Sequence, residues 1–253
     1  MHKRAVRMNK KISAIALVVF MLVPHIMSAR NWQRDLRIGY SIGGIAPVGL
    51  PASIRGVNSY SIMPDFGIGL ETKRLYSDHW GIITGLRFEN KAMKVDARVK
   101  NYHMKMAQGT ETLEGMFTGD DETKVNMWMF TIPVQAICRI GKVDLKAGPY
   151  LSWVVGRQFK GYAHDGYIRV GNPTGAKVEI GSEPENRGTY DFSDNLRQLQ
   201  WGTTVGADWK FSKRVGAYAD LTWGLNGVFH KNFTVIDQTL YPIYGTLGLV
   251  YSL

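Results

Sequence analysis

The stretch RVGAYADLTWGLNG, residues 214–227, alternates without a slip. Val215, Ala217, Ala219, Leu221, Trp223 and Leu225 fall in one phase. Gly216, Tyr218, Asp220, Thr222, Gly224 and Asn226 fall in the other. A period of two marks a strand with one apolar and one polar face. The decisive question is what the apolar face touches, a protein core or lipid.

The same rhythm recurs along the chain, and eight strands are expected: 36–42, 60–70, 80–88, 128–140, 143–155, 199–211, 215–225 and 241–253. Short links, RLYSDH, GK and SKR, join strands 2–3, 4–5 and 6–7. Long ones, near 44–58, 91–126, 157–198 and 227–239, join the others. Regular alternation of short and long connections places every long loop at one end of a meander and both termini at the other. That is the layout of an outer-membrane barrel. Six of the seven tryptophans lie in the strands, each in the apolar phase. Trp80, Trp209, Phe211 and Tyr251 fall on the turn side. Phe88, Trp128, Trp153, Trp201, Trp223 and Tyr241 fall on the loop side. Indole prefers the lipid–water boundary, so two such rings bracket a bilayer, and about 9–11 residues between them suffice for a tilted strand to cross. The expected fold is therefore all-β, an eight-stranded antiparallel up-and-down transmembrane β-barrel with long extracellular loops and short periplasmic turns. Outer-membrane lipid is its first partner.

The polar phase then points inward. It carries Arg37, Arg87, Arg139, Lys146 and Lys210 with Asp65, Glu71, Glu89, Asp144, Asp208 and Asp220, and Tyr150 and Tyr218 add bulk. An eight-stranded barrel has room inside mainly for side chains, so these charges are expected to pair and close the lumen. The rival is a charge-lined transport path.

A net charge of +10 suggests nucleic acid, but its distribution does not. Lys3, Arg4, Arg7, Lys10 and Lys11 supply five of the 31 basic residues in a 29-residue start without acids. The remainder is close to balanced, and no nucleic-acid partner is expected. That basic start leads into ISAIALVVFMLV and a small residue at Ala29. This reads as a secretory signal over 1–29, followed by the barrel over 30–253. A membrane anchor is the alternative, but the apolar run is short for one. Cys138, the single cysteine, has no internal disulfide partner.

At FTIPVQAICRIGKVDLKAGPYLSWVVG the chain resembles the PorT-like outer-membrane β-barrel proteins, an eight-strand family of Gram-negative cell envelopes. Ile132-Pro133-Val134, Gly148-Pro149-Tyr150 and the Gly-rich hairpin from 201 to 228 carry the resemblance, which covers roughly 35–253. It implies an outer-membrane barrel with no catalytic motif attached. Leu249, Tyr251 and Leu253 in phase resemble the C-terminal strand signal read by the barrel-insertion machinery, with Leu253 where an aromatic is usual. Pro133 and Pro149 each remove a ladder donor; a bulge where the wall bends is one reading of each, and a family fold feature with no chemical role is the plainer one.

Chemistry is sought mainly in the loops. Ser193 with Asp194, His164 with Asp165, and His230 are the groups a nucleophilic site would need to gather. His79 lies on the opposite rim, and His103 is a further loop histidine. None sits in a spacing motif, and solvated loop residues are the plainer reading. No Cys pair or His-x-x-x-His suggests a metal. The acidic run 120–122 lacks the pattern of a dedicated Ca²⁺ loop. No catalytic, cofactor-binding or metal residue is assigned, and no cofactor is expected. The segment 167–180 reads as a hairpin around GNPTG that extends strands 5 and 6 above the membrane. Such edges can bind a protein partner by strand addition or simply decorate the surface. Two functions follow. The first is a non-enzymatic scaffold, adhesion or accessory, secretion-related component. The alternative is a small-solute or lipid-handling barrel, either a narrow pore or a loop-based enzyme.

Overall fold

Alternation becomes strand almost throughout the computed structural model, which describes residues 32–49, 51–236 and 238–253. The expected signal, 1–29, lies outside these described residues. The strands are β1 (Gln33–Pro47), β2 (Ile54–Ser61), β3 (Phe66–Leu75), β4 (Trp80–Gln108), β5 (Glu111–Ile140) and β6 (Val143–Val170). They continue with β7 (Lys177–Ile180), β8 (Gly188–Asp191), β9 (Leu199–Lys210), β10 (Val215–Gly224) and β11 (Leu240–Ser252). Eight of them close a ring in the order β1, β3, β4, β5, β6, β9, β10, β11 and back to β1, with every pairing antiparallel. Closure removes the free edges that an open sheet would expose. The short turns after β3, β5 and β9 lie at the same end as the start of β1 and the end of β11, where Asp35 pairs with Ser252.

The face assignment holds. Ile38, Val205, Leu221, Leu247 and Leu249 are about half exposed on the outer wall, whereas Arg37, Thr204, Asp220 and Thr246 beside them are buried. Near the long-loop end Trp128 lies 5.3 Å from Phe88 and 5.4 Å from Phe66, a continuous aromatic band. Inside, Tyr218 lies across Gly39 and Gly248, which face each other on β1 and β11. A Cβ on Gly39 would come within 2.1 Å of the Tyr218 hydroxyl. The two glycines make room for a flat aromatic in a narrow bore.

Three expectations need correction. The second ring strand begins at Phe66 rather than at residue 60, because Pro64 interrupts the run and Tyr60 belongs to β2 outside the ring. The segments 91–126 and 157–198 are not mainly loop: β4, β5 and β6 run 29, 30 and 28 residues and stand far above the membrane. Of the hairpin at 167–180, β6 and β7 pair as expected, but β8 rather than β9 follows it along β6. The prolines mark no bulge. Tyr150 opposite Pro133 and Thr203 opposite Pro149 stay in register. The irregularities lie elsewhere: β6 carries an extra residue opposite Thr118–Asp120 and another opposite Trp128–Met129, and β4 carries one opposite Phe117–Gly119.

The tall strands persist because their alternation continues with its polarity reversed. Below Trp128, β5 turns Phe130 and Val134 outward and Thr131 and Gln135 inward. Above it, Val125 and Met127 point inward and Asn126 and Lys124 outward. Lipid no longer wets the outer face there, so the apolar phase moves to the inside, as in a water-soluble β-structure.

Candidate functional site

The bore is filled in two layers of opposite chemistry. The lower layer is ionic. Arg37 reaches Glu71 at 3.1 Å, Asp208 at 3.0 Å and Asp220 at 3.4 Å. Arg87 contacts Glu71 at 2.5 Å and Asp220 at 3.3 Å, and Lys146 lies 2.8 Å from both Asp208 and Asp220. The Arg37 guanidinium also sits 3.8 Å from the centre of the Tyr218 ring. Nearer the periplasm Lys73 joins Asp35 and Asp144, and Arg139 pairs with Asp144. Nearer the surface Lys91 meets Glu89 at 3.5 Å.

Nine of the eleven charges expected inside thus enter ion pairs. Asp65 is buried and accepts the backbone N–H of Ala92 at 2.5 Å, while Lys210 donates to Gln33 at 3.3 Å. Asp35, Lys73 and Lys91 complete the network without having been singled out. Asp35 and Lys73 lie in the polar phase of strands whose expected ends were set too short. Lys91 fell in a segment read as loop.

Above the ionic layer the tall strands form a cup with an apolar interior. Met93, Met104, Met106, Met127, Met129, Val125 and Phe159 are buried together, and the chain between β8 and β9 and after β10 folds in over them. Phe159 meets Phe229 edge to face at 4.9 Å, and Phe229 stacks against Phe233 at 4.5 Å. One carboxyl enters this interior. Asp121 lies in the same inward phase of β5 as Val125 and Met127, and there Tyr190 donates to it at 3.0 Å and Thr123 at 3.2 Å. Burial pushes the Asp121 carboxyl up to about 7, against these two hydrogen bonds that lower it. A folded-state value above the unfolded carboxylate range means that the folded cup holds a proton the unfolded chain releases. Its stabilising contribution is full below about pH 4 and is lost as pH rises through about 7. The near-ultraviolet dichroism of the Phe159–Tyr190–Phe192 cluster is therefore expected to melt at lower temperature at pH 8 than at pH 5. In Asp121→Asn the two temperatures should converge, and an unchanged gap would contradict the assignment.

The remaining candidates are not gathered into a catalytic site. The Ser193 hydroxyl donates to Asp191 at 2.5 Å and accepts the Phe159 N–H at 3.0 Å. His164 pairs with Asp165 at 2.8 Å on the outer face, and His103 meets the Val235 carbonyl at 3.0 Å. The His230 backbone N–H donates to the Asn195 carbonyl, and His79 lies in the periplasmic turn after β3. The acidic run diverges: Asp120 takes two bonds from Arg98, Asp121 points inward, and Glu122 pairs with Lys94. Asp120, His164 and Asp165 do come close enough to share an ion, but Arg98 already supplies Asp120 with its counter-charge.

The family model described as an outer membrane protein beta-barrel domain matches residues 22–230. No curated protein matches the chain. Among solved structures, CarO of Acinetobacter baumannii is similar at 11% identity, covering 87% of this chain and 97% of its own, with a TM-score of 0.39. OprG of Pseudomonas aeruginosa is similar at 13% identity over 88% and 96%, with a TM-score of 0.34. Ail of Yersinia pestis, solved with the heparin analogue sucrose octasulfate, is similar at 10% identity over 88% and 99%, with a TM-score of 0.36. The family model spans most of the chain, including seven of the eight ring strands: this protein belongs to the outer membrane protein beta-barrel domain family and resides in the outer membrane of the Gram-negative cell envelope.

Proposed function

We propose that the chain is a non-enzymatic surface platform, a scaffold, adhesion or accessory component that meets a protein partner through its extracellular cup. The observation that carries this reading is the doubly closed bore: an ion-paired layer lies within the membrane and a packed apolar layer stands above it. Such a bore disfavours a path for ions or solutes, because opening it would leave buried charges unpaired. What it supports instead is rigidity. The tall strands hold β7, with Val170 exposed, far above the bilayer, while β2 rises from nearer to it, with Ser61 opposite Lys94 and Val57 exposed opposite Ala97. Within the family, Ile132-Pro133-Val134, Gly148-Pro149-Tyr150 and the 201–228 hairpin favour the PorT-like group; they are structural motifs, and a secretion-related role is one form of the accessory role proposed here. Export by a signal over 1–29 and assembly by the barrel-insertion machinery belong to the same reading.

A second reading has one observation in its favour. A cleft of about 790 Å³ lies between the wall at Trp201 and Leu225 and the chain after β10, where it meets Arg197, His230 and Lys231. An apolar floor near the membrane boundary beneath basic groups suits lipid handling. Two measurements separate the readings. Purified protein in a planar bilayer should show no steady conductance. Photo-crosslinkers at Val57 and Val170 on intact cells should give discrete products with a protein partner. Stable single-channel currents, or crosslinks to lipid alone, would favour the second reading.

A further inference from the structure

On the outer face of the cup, three lysines share one rung of the ladder. Lys94 stands directly opposite Lys124, and Lys124 directly opposite Lys160. Like charges facing each other across strands are unfavourable on their own. Adjacent strands are about 4.8 Å apart, so the three Cα positions span roughly 10 Å. The outer two have carboxylate neighbours, Glu122 at 3.0 Å from Lys94 and Asp191 at 3.3 Å from Lys160. Lys124, between them, is exposed and has no ion pair among the described residues.

The rung has a definite depth. It lies four residues above Trp128 of the aromatic band. That is about 13 Å along a tilted strand and about 10 Å along the membrane normal, the level of lipid headgroups. The rung between consists of Ala92, Asn126 and Gln158, and the rung above of Asp96, Glu122 and Tyr162. Cations are thus bounded below by amides and above by carboxylates. An anion lying at headgroup depth would be held there and repelled from any higher position.

We infer that Lys94, Lys124 and Lys160 dock the phosphates of an outer-leaflet phosphoglycolipid. Lysine stems lie along the wall and carry their ammonium groups toward the headgroup plane. A bound phosphate between neighbours relieves the repulsion that the register imposes. Three cations across roughly 10 Å suit a headgroup with more than one phosphate, and Asn126, Gln158 and Tyr162 supply hydrogen bonds of the kind sugar hydroxyls take. A soluble phosphoprotein would have to displace the surrounding headgroups to reach the same depth.

The test uses full-length protein in non-ionic detergent, titrated separately with bisphosphorylated lipid A, dephosphorylated lipid A, phosphatidylglycerol and inorganic phosphate. Bisphosphorylated lipid A should bind tightest. Each lysine changed to glutamine should weaken it about fivefold, and Lys94→Gln/Lys124→Gln/Lys160→Gln together about a hundredfold. Lys142→Gln/Lys213→Gln, at the periplasmic turns, should leave it unchanged. Lys124→Gln should also raise the melting temperature in lipid-free detergent, since it removes two like-charge contacts, which shows that lost binding is not lost folding. Equal binding of dephosphorylated lipid A, or wild-type affinity in the triple variant, would overturn the proposal. Equal affinity for phosphatidylglycerol or inorganic phosphate would overturn the glycolipid assignment.

Discussion

Val205→Arg is expected to destabilise the barrel in lipid vesicles by about 2–4 kcal/mol, the depth-dependent penalty for arginine at the bilayer midplane. Val205 lies on the outer wall of β9, about half exposed, opposite Leu221 of β10 and Ala147 of β6. It is four residues from Trp201 in one direction and four from Trp209 in the other, so an arginine there reaches either interface only by a long snorkel. Thr204 is its neighbour in sequence and its opposite in environment: buried in the bore, with its hydroxyl 3.4 Å from that of Thr222. Thr204→Ser keeps the hydroxyl and should change stability by well under 1 kcal/mol. Urea titrations of the two variants in vesicles measure the difference. Equal, mild effects would mean that the outer wall does not face hydrocarbon.

The membrane-spanning half of the fold was legible because one physical rule governs it. Each strand there has a lipid face and a bore face, so its phase can be read from Leu36-Arg37-Ile38 or Ala219-Asp220-Leu221 without reference to any other strand. Membership of the ionic layer followed from that phase. Its pairing did not, because Arg37 meets Asp220 across 183 positions of sequence.

The cup was hidden by the same rule. Met93, Val125 and Met127 lie in the phase that is polar lower down, so a reader who keeps the phase constant sees polarity fail and infers loop. What changes is the solvent outside. The recoverable signal was that the alternation ran on through KAMKVDARV with its apolar members shifted by one. Asp121 was harder still. It keeps the inward phase of Val125 and Met127, but with an acid on either side of it the sequence shows no change of polarity to mark which one turns in.

Asp220→Asn should cost the folded barrel about 3–5 kcal/mol, the range for breaking a buried ion pair by removing one partner. The Asp220 carboxylate is fully enclosed and serves three cations at once, Lys146 at 2.8 Å, Arg87 at 3.3 Å and Arg37 at 3.4 Å. An amide keeps the shape but removes the charge, which leaves Asp208 and Glu71 as the carboxylates in contact with those three cations. Removing a cation as well should restore much of the loss, so Asp220→Asn/Lys146→Met is expected to be more stable than Asp220→Asn alone, with a coupling energy of about 1–3 kcal/mol in a double-mutant cycle. Neither variant should open a pore, because the apolar layer of Met93, Met127 and Phe159 still closes the bore above the ionic one. Planar-bilayer recordings of wild type and both variants, beside unfolding titrations in vesicles, check the two claims separately. A channel whose ion selectivity tracks the charge at Asp208 or Asp220 would show that these carboxylates line a path, and the platform reading would fall with the plug.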